Sequence, residues 1–269
     1  MAMAKLQDLF TQARREQGGS GMGFLGRNKP ASKAHAAALV VAFPQVTAGN
    51  AEAALKAGAD GLLFRWGGKG SASLETIKEE IDAAKTVNDQ VVTGLEIVAG
   101  WDKLDRDSLS EIKDQGIQYI IVPFNAPARL LALETKDIEK IVVVPMRRDD
   151  FYPLYIRNLS AFDGIAGVVL DFGLNSTLGA LTIEEALNYR AVREAIRFPA
   201  FIHVTSNLKE HEAYALLTVG IQAVVLTASE TEETTQTEIK ALREVLEKVH
   251  QEDKDKDKDS PSVLPQARK

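Results

Sequence analysis

Short apolar runs rich in β-forming residues alternate with longer amphipathic segments from residue 35 onward. Each run is almost continuously apolar, a pattern typical of parallel strands that are buried on both faces. In chain order the runs are AAALVVAF (36–43), GLLFRW (61–66), VVTGLEIV (91–98), YIIVPF (119–124), IVVVPM (141–146), GVVLDF (167–172), AFIHVT (200–205) and AVVLTA (223–228). We therefore predict eight strands.

The segments between these runs have helical periodicity. SLETIKEEIDAAKTVN, for example, places Leu74, Ile77 and Ile81 on one face of a helix. The weakest case is FYPLYIRNLSAF, where Pro153 fits a helix only in its first turn. Eight βα units predict a closed (β/α)8 TIM barrel over 35–250, with an open doubly wound sheet as the structural alternative.

The two ends of the chain lie outside this repeat. Residues 1–34 are predicted to form an amphipathic helix, with Leu6, Leu9 and Phe10 on one side, and a glycine-rich loop. The loop contains GMGFLG, which spells a dinucleotide fingerprint but follows a predicted helix where that motif requires a strand, so we predict no NAD site. Residues 251–269 alternate acids and bases and are predicted to be a disordered tail.

Composition narrows the function classes. The net charge of −6 argues against a nucleic-acid surface, and the lack of cysteine excludes disulfides and thiolate chemistry. No apolar run is long enough to span a membrane, and the N-terminus does not resemble a secretory signal. These features predict a cytoplasmic protein whose partner is a small molecule. The fold is compatible with a homo-oligomer, but no interface can be named.

Basic and amide side chains follow several predicted strands. Active sites of TIM barrels lie at the carboxyl ends of the strands. Arg65 ends the second run, Asn125 follows the fourth, and Arg147 and Arg148 follow the fifth, while Lys69 lies in the loop WGGKGSAS after the second. Because guanidinium groups bind carboxylates and phosphates, these five residues predict a site for a small anionic metabolite. The alternative is that the arginines form structural ion pairs with nearby acids.

Two carboxylates and a histidine complete the predicted site. Glu96 and Asp171 end the third and sixth runs, and His203 lies in the seventh. The carboxylates can share acid–base work or hold a divalent ion, and the imidazole can act as acid, base or ligand. Gly94 and Gly167 precede the carboxylates at even spacing, which leaves space on the same side of each strand. The alternative for His203 is a structural, hydrogen-bonded role.

Two absences restrict the chemistry. No lysine lies in or at the end of a predicted strand, which disfavours an aldolase that uses a Schiff base. The loops after the last two strands, TSNLKEHE and TASETEET, contain no glycine, which disfavours the usual phosphate site of TIM barrels. Any anion is therefore expected elsewhere at the strand ends.

The segments GIQYIIVPFNAPARL and IVVVPMRRDDFYPLYIRNLSAFDGIAGVVLDFGLNSTLG resemble, over about residues 115–250, the HpcH/HpaI aldolase/citrate-lyase family. The resemblance implies a TIM barrel and the pyruvate-enolate chemistry of a metal-dependent lyase. However, the family's metal-binding glutamate falls on Arg147 and its aspartate on Gly173, with Asp171 two residues earlier. The resemblance therefore transfers no active-site residue.

Three hypotheses follow from the sequence. The first is an enzyme with a lyase or aldolase-like reaction next to a carboxylate, in which Arg65, Arg147 and Arg148 bind the anion. In it Glu96, Asp171 and His203 move protons, or hold a divalent metal ion if one is used; the cofactor is otherwise unknown. The second is a barrel that has lost catalysis and serves binding or assembly. The third is a flavin-binding barrel with its ligand under WGGKG.

Overall fold

Eight parallel strands close into one barrel in chain order, so the predicted (β/α)8 TIM barrel is confirmed. The computed structural model describes residues 5–14, 34–67, 72–133, 138–147, 149–171 and 181–259. The strands are β1 (Ala38–Phe43), β2 (Gly61–Trp66), β3 (Val92–Ile97), β4 (Tyr119–Val122), β5 (Glu139–Pro145), β6 (Ile165–Asp171), β7 (Ala200–Val204) and β8 (Ala223–Thr227).

Helices precede the barrel and follow its strands. They are α1 (Leu6–Arg14), α2 (Asn50–Ala57), α3 (Leu74–Val87), α4 (Arg106–Asp114), α5 (Arg129–Ala132), α6 (Tyr152–Ile156), α7 (Ile183–Ile196), α8 (Glu210–Val219) and α9 (Glu232–Asp259), with 3₁₀ turns at Trp101–Lys103 and Arg157–Ala161. Gly58 ends α2 in the left-handed conformation (φ 113°), which favours glycine at a helix end.

Side chains along the strands alternate between two cores. The inner core includes Leu63 of β2, Val92 of β3, Val169 of β6 and Phe201 of β7, whereas their neighbours in the strands face the helices. Because the alternation has a period of two residues, positions two further along each strand also face inward. This rule directs the residues at the strand ends, which are described below, toward the barrel mouth.

The N-terminal helix closes the floor of the barrel. Leu6, Leu9 and Phe10 of α1 belong to the inner core, and the Phe10 ring packs edge-on against Phe201 with ring centroids 5.6 Å apart. A Cβ atom on Gly61 would lie 3.0 Å from Leu9 Cδ1, so the glycine makes room for the helix. The predicted amphipathic face therefore packs into the barrel.

Tyr119 fills the centre of the barrel. A Cβ atom on Gly94 would lie 2.2 Å from the Tyr119 ring, so only glycine fits opposite it. The phenol oxygen is buried without a hydrogen-bond partner, and burial raises the pKa of Tyr119 above its usual value. The ring blocks the path from the floor to the mouth.

The connection between β4 and β5 differs from the prediction. Among the described residues of the segment 125–140, the predicted helix is the single turn α5. Strand β5 begins at Glu139, and its pairing with β6 shifts register between Lys140 and Ile141. The prediction that no strand contains lysine is therefore wrong, because Lys140 lies in β5. The apolar pattern missed it because this extension of the strand carries two charged residues.

Lys140 is nevertheless distant from the strand ends that form the mouth. It is buried near the beginning of β5, where its ammonium donates hydrogen bonds to the carbonyl oxygens of Leu130 (3.1 Å) and Leu133 (2.5 Å). These carbonyl groups lie in and directly after the α5 turn, and a helix this short offers them few backbone N–H partners. Lys140 therefore stabilises the β4–β5 connection.

The C-terminal tail is partly helical. Helix α9 continues to Asp259, so the prediction of disorder is wrong for residues 251–259. Alternating acids and bases place opposite charges three positions apart but like charges four positions apart, so the helix here continues from the packed part of α9 and does not depend on these charges. Residues 260–269 lie outside the described residues, as does the GMGFLG motif.

Candidate functional site

Arg65 and Glu96 form an ion pair at the carboxyl ends of β2 and β3. The two residues are register partners, and Arg65 Nε donates to Glu96 Oε2 at 3.2 Å. The Arg65 side chain is 47% exposed and that of Glu96 is 22% exposed. A pair this open to water contributes at most about 1 kcal/mol, so a ligand can separate it at little cost.

His203 lies beside this pair, two positions after Phe201 in β7. It borders the same cavity as Arg65, Glu96 and Thr227. Burial is the main cause that lowers the pKa of His203 below 6.5. The carboxylates of Glu96 and Asp171 raise this pKa, and the Arg65 charge lowers it further. The imidazole is therefore predominantly neutral at pH 7, the form that accepts a proton.

Asp171 ends β6 at the same mouth. Its side chain is exposed, and its charge acts on His203. The structure thus brings together four of the predicted site residues: Arg65, Glu96, Asp171 and His203. The roles assigned to them remain predictions.

One small cavity at the described part of the mouth has a volume of about 10 Å³, room for roughly one water molecule. The lining residues are Ala42, Phe43, Pro44, Leu63, Arg65, Glu96, His203 and Thr227. The loops that follow β2 and β6, at 68–71 and 172–180, lie outside the described residues, and with them Lys69 and Gly173.

Arg147 lies in a different environment. Its guanidinium carbon is 5.9 Å from the centroid of the Phe124 ring and 5.8 Å from that of Tyr152. Tyr152 is fixed by a hydrogen bond from its hydroxyl to the Pro145 carbonyl oxygen (2.6 Å). Burial raises the pKa of Tyr152, and the Arg147 charge partly offsets this rise. Arg147 thus stacks on aromatic rings between the ends of β4 and β5.

Asn125 is not among the residues that line the cavity at the mouth. Asn125 is exposed beside Phe124, and Arg148 lies outside the described residues. Sequence reasoning missed Phe124 and Tyr152, although an aromatic residue directly after a strand was a visible signal. Their stacking on Arg147 depends on two segments that are distant in sequence.

Within the described ranges, no three histidine, aspartate or glutamate residues are grouped so that they could hold a metal ion. The predicted divalent ion is thus left as a prediction. In the same ranges no helix has the length and apolar character to cross a membrane.

Known proteins resemble this chain in fold only. No family model and no curated protein matches it. A tryptophan synthase structure from M. tuberculosis has a TM-score of 0.61 at 12% identity, covering 91% of this chain and 99% of that one. The (S)-3-O-geranylgeranylglyceryl phosphate synthase of Thermoplasma acidophilum, in complex with sn-glycerol-1-phosphate, has a TM-score of 0.53 at 16% identity. The match covers 92% of this chain and 100% of that one.

A third structure, native KDPGal, has a TM-score of 0.54 at 13% identity and covers 84% of this chain and 98% of that one. Identities this low establish a shared fold and nothing finer. The resemblance to the HpcH/HpaI family is not shown by any of these matches. The chain is a closed (β/α)8 TIM barrel with four ionisable or cationic side chains gathered at the carboxyl ends of its strands.

Proposed function

We propose that the barrel mouth is the active site of an enzyme that acts on a small anionic metabolite. The observation that carries this proposal is that Arg65, Glu96 and His203 border one cavity near the ends of three strands, and that the charge of Asp171 at the end of β6 also acts on His203. Sites of this fold form from such strand ends. The similar synthase from Thermoplasma acidophilum holds sn-glycerol-1-phosphate, which is a small anion.

Arg65 is the residue that binds the anion. Its ion pair with Glu96 uses Nε, so the edge of the guanidinium that carries the two terminal nitrogens can face a carboxylate or phosphate. Its exposure and the small energy of the existing pair allow the side chain to turn toward a ligand.

His203 is the general base. Its lowered pKa keeps the imidazole neutral, and the carboxylates of Glu96 and Asp171 stabilise the imidazolium that forms when it takes a proton. If Arg65 binds a carboxylate of the substrate, His203 beside it can remove a proton from a carbon next to that carboxylate. A lyase or aldolase-like reaction is the class that these groups support.

The second candidate is a barrel without catalysis that serves binding or assembly. The observation that favours it is the Arg65–Glu96 ion pair, which satisfies both charges without a ligand. In this case the charged groups at the strand ends only stabilise the rim. The two candidates differ in whether any small anion binds there.

A thermal-shift panel separates the candidates. Small keto, hydroxy and phospho acids are tested with and without divalent ions. A binder at 100 times its Kd is expected to stabilise the fold by about 2.7 kcal/mol. Arg65→Gln should abolish the shift, whereas Arg106→Gln on the exposed start of α4 should preserve it.

The same panel tests catalysis. An acid that binds should be converted by the natural chain and not by His203→Gln, although the variant still binds it. No stabilisation by any acid would favour the binding or assembly module. Unchanged turnover in His203→Gln would contradict the assigned base.

A further inference from the structure

The helical layer that covers the barrel is thin outside β4 and β5. Helices α5 and α6 have four and five residues, whereas α3 has 14. Between them lies a cavity of about 340 Å³, lined by Val122, Pro123, Phe124, Ala126, Pro127, Ala128, Leu130, Leu131, Val142, Tyr155, Ile156, Asn158, Leu159 and Phe162. This volume lies in the range of pockets that hold small molecules, about 300–1,000 Å³.

The cavity is apolar inside and open to solvent at an aromatic edge. Val122 and Val142 come from the outward faces of β4 and β5, and Leu130 and Leu159 from the short helical turns. Tyr155 is 57% exposed and Phe162 is 42% exposed, although both contribute to the lining. Large side chains of this kind at the entrance of an apolar cavity indicate a binding surface.

A cation lies at this aromatic edge. The Arg147 guanidinium stacks on Phe124, which lines the cavity, and on Tyr152. Tyr152 in turn stacks on Tyr155, another lining residue, with ring centroids 6.2 Å apart. The rings hold the exposed guanidinium next to the apolar space and leave its edge available for hydrogen bonds. The site therefore combines an apolar interior with one positive charge.

We propose that this cavity binds a small amphiphilic anion, a free carboxylate with an unbranched alkyl chain, for which octanoate is the probe. The chain occupies the space between β4, β5 and α6, and the carboxylate accepts hydrogen bonds from Arg147. A planar carboxylate matches the guanidinium fork. The anion-binding role predicted for Arg147 is thereby placed at a second site, independent of the barrel mouth.

Chain length provides the first test. Octanoate, hexanoate and butanoate are titrated into the full chain by calorimetry. Each buried methylene contributes about 0.8 kcal/mol, so Kd should rise about fourfold for each one removed. Octanoate that fails to saturate, or a Kd that does not change with length, would overturn the proposal.

Paired variants provide the second test. Ala126→Phe fills the cavity and should abolish octanoate binding, whereas Ala132→Phe, on an exposed position of α5 outside the lining, should leave it unchanged. Circular dichroism and the melting temperature establish that both variants fold. Equal binding by the two variants would contradict the assigned cavity.

The charged group is tested with Arg147→Gln. This variant should weaken octanoate binding about tenfold, because a charge-assisted hydrogen bond is lost. It should leave the binding of octan-1-ol unchanged, since the alcohol has no carboxylate. Arg65→Gln should leave octanoate binding unchanged, so the outcome is separate from that of the proposed active site. An equal loss for the acid and the alcohol would show that Arg147 is not the carboxylate partner.

Discussion

His203 takes its chemical character from groups that other strands supply. The alternation of side chains in β7 points it inward, which the sequence pattern could predict from Phe201 two positions earlier. Its pKa, however, depends on burial in the mouth and on the charges of Arg65, Glu96 and Asp171. These three residues lie on other strands, so no local pattern predicts their combined effect.

The lowered pKa of His203 has a consequence for stability. As the pH falls below about 6.5, the imidazole in the unfolded chain takes up a proton that the buried one resists. The free energy of unfolding should therefore decrease between pH 7.5 and pH 5.5, and His203→Gln should make that decrease smaller. Urea unfolding at both pH values measures it, and an equal or larger decrease in the variant would contradict the lowered pKa.

The surroundings of Arg147 were likewise not predictable from its position in the sequence. Its position after the fifth strand predicted an anion site, and the structure leaves it exposed and cationic. Its neighbours are the Phe124 and Tyr152 rings, and the cluster at the mouth consists of other residues. A side chain beyond the end of a strand is no longer directed by the two-residue alternation, so its direction follows from packing.

At the level of elements, α1 shows how much an amphipathic pattern determines. The apolar positions predicted a helix with one buried face, and Leu9 is fully buried while Gln7 is exposed. The pattern did not show that this face closes the barrel floor against Phe201 and beside Gly61. That contact joins the first helix to strands far along the chain.

Truncation of the buried face should destabilise the whole barrel. Leu9→Ala is expected to reduce the free energy of unfolding by about 2–5 kcal/mol, because it leaves a cavity in the inner core. Gln7→Ala, on the exposed face of the same helix, is expected to change it by less than about 0.5 kcal/mol. Chemical denaturation compares them, and similar values for both would show that α1 does not contribute to the core.

Between β4 and β5, the sequence pattern predicted a longer helix than α5. The segment 125–140 contains good helix formers, but its described residues form a helix only at α5, and β5 begins at Glu139. The short turn is stabilised by Lys140 and leaves the apolar cavity beside it. The length of the helix was therefore decided by strand pairing and by a buried ammonium group.

At the level of the whole molecule, α9 ties the end of the barrel to its beginning. The Nη1 atom of Arg243 in this helix lies 3.4 Å from Asp60 Oδ1, and Asp60 Oδ2 lies 2.6 Å from His35 Nε2. Asp60 also accepts a hydrogen bond from the Leu39 N–H at 2.7 Å. Because these residues are distant in sequence, the network forms only when β1, β2 and α9 are in place.

Removal of the arginine should therefore weaken the closure. Arg243→Met is expected to cost about 3 kcal/mol, because it leaves the largely buried Asp60 with one cationic partner fewer. Lys248→Met, at an exposed position of the same helix, is the matched control and should have little effect. Urea unfolding measures both, and an Arg243→Met value close to that of the control would exclude the network as a source of stability.

The sequence by itself determined the number and order of the strands and the inward direction of Arg65, Glu96, Asp171 and His203, and it favoured a closed barrel over an open sheet. These features follow from local periodicity, which each short segment carries on its own. Only the tertiary structure decided the pKa of His203, the stacking of Arg147, the burial of Lys140 and the cavity outside β4 and β5. Each of these depends on distances between residues of different segments, and those distances are set when the barrel closes.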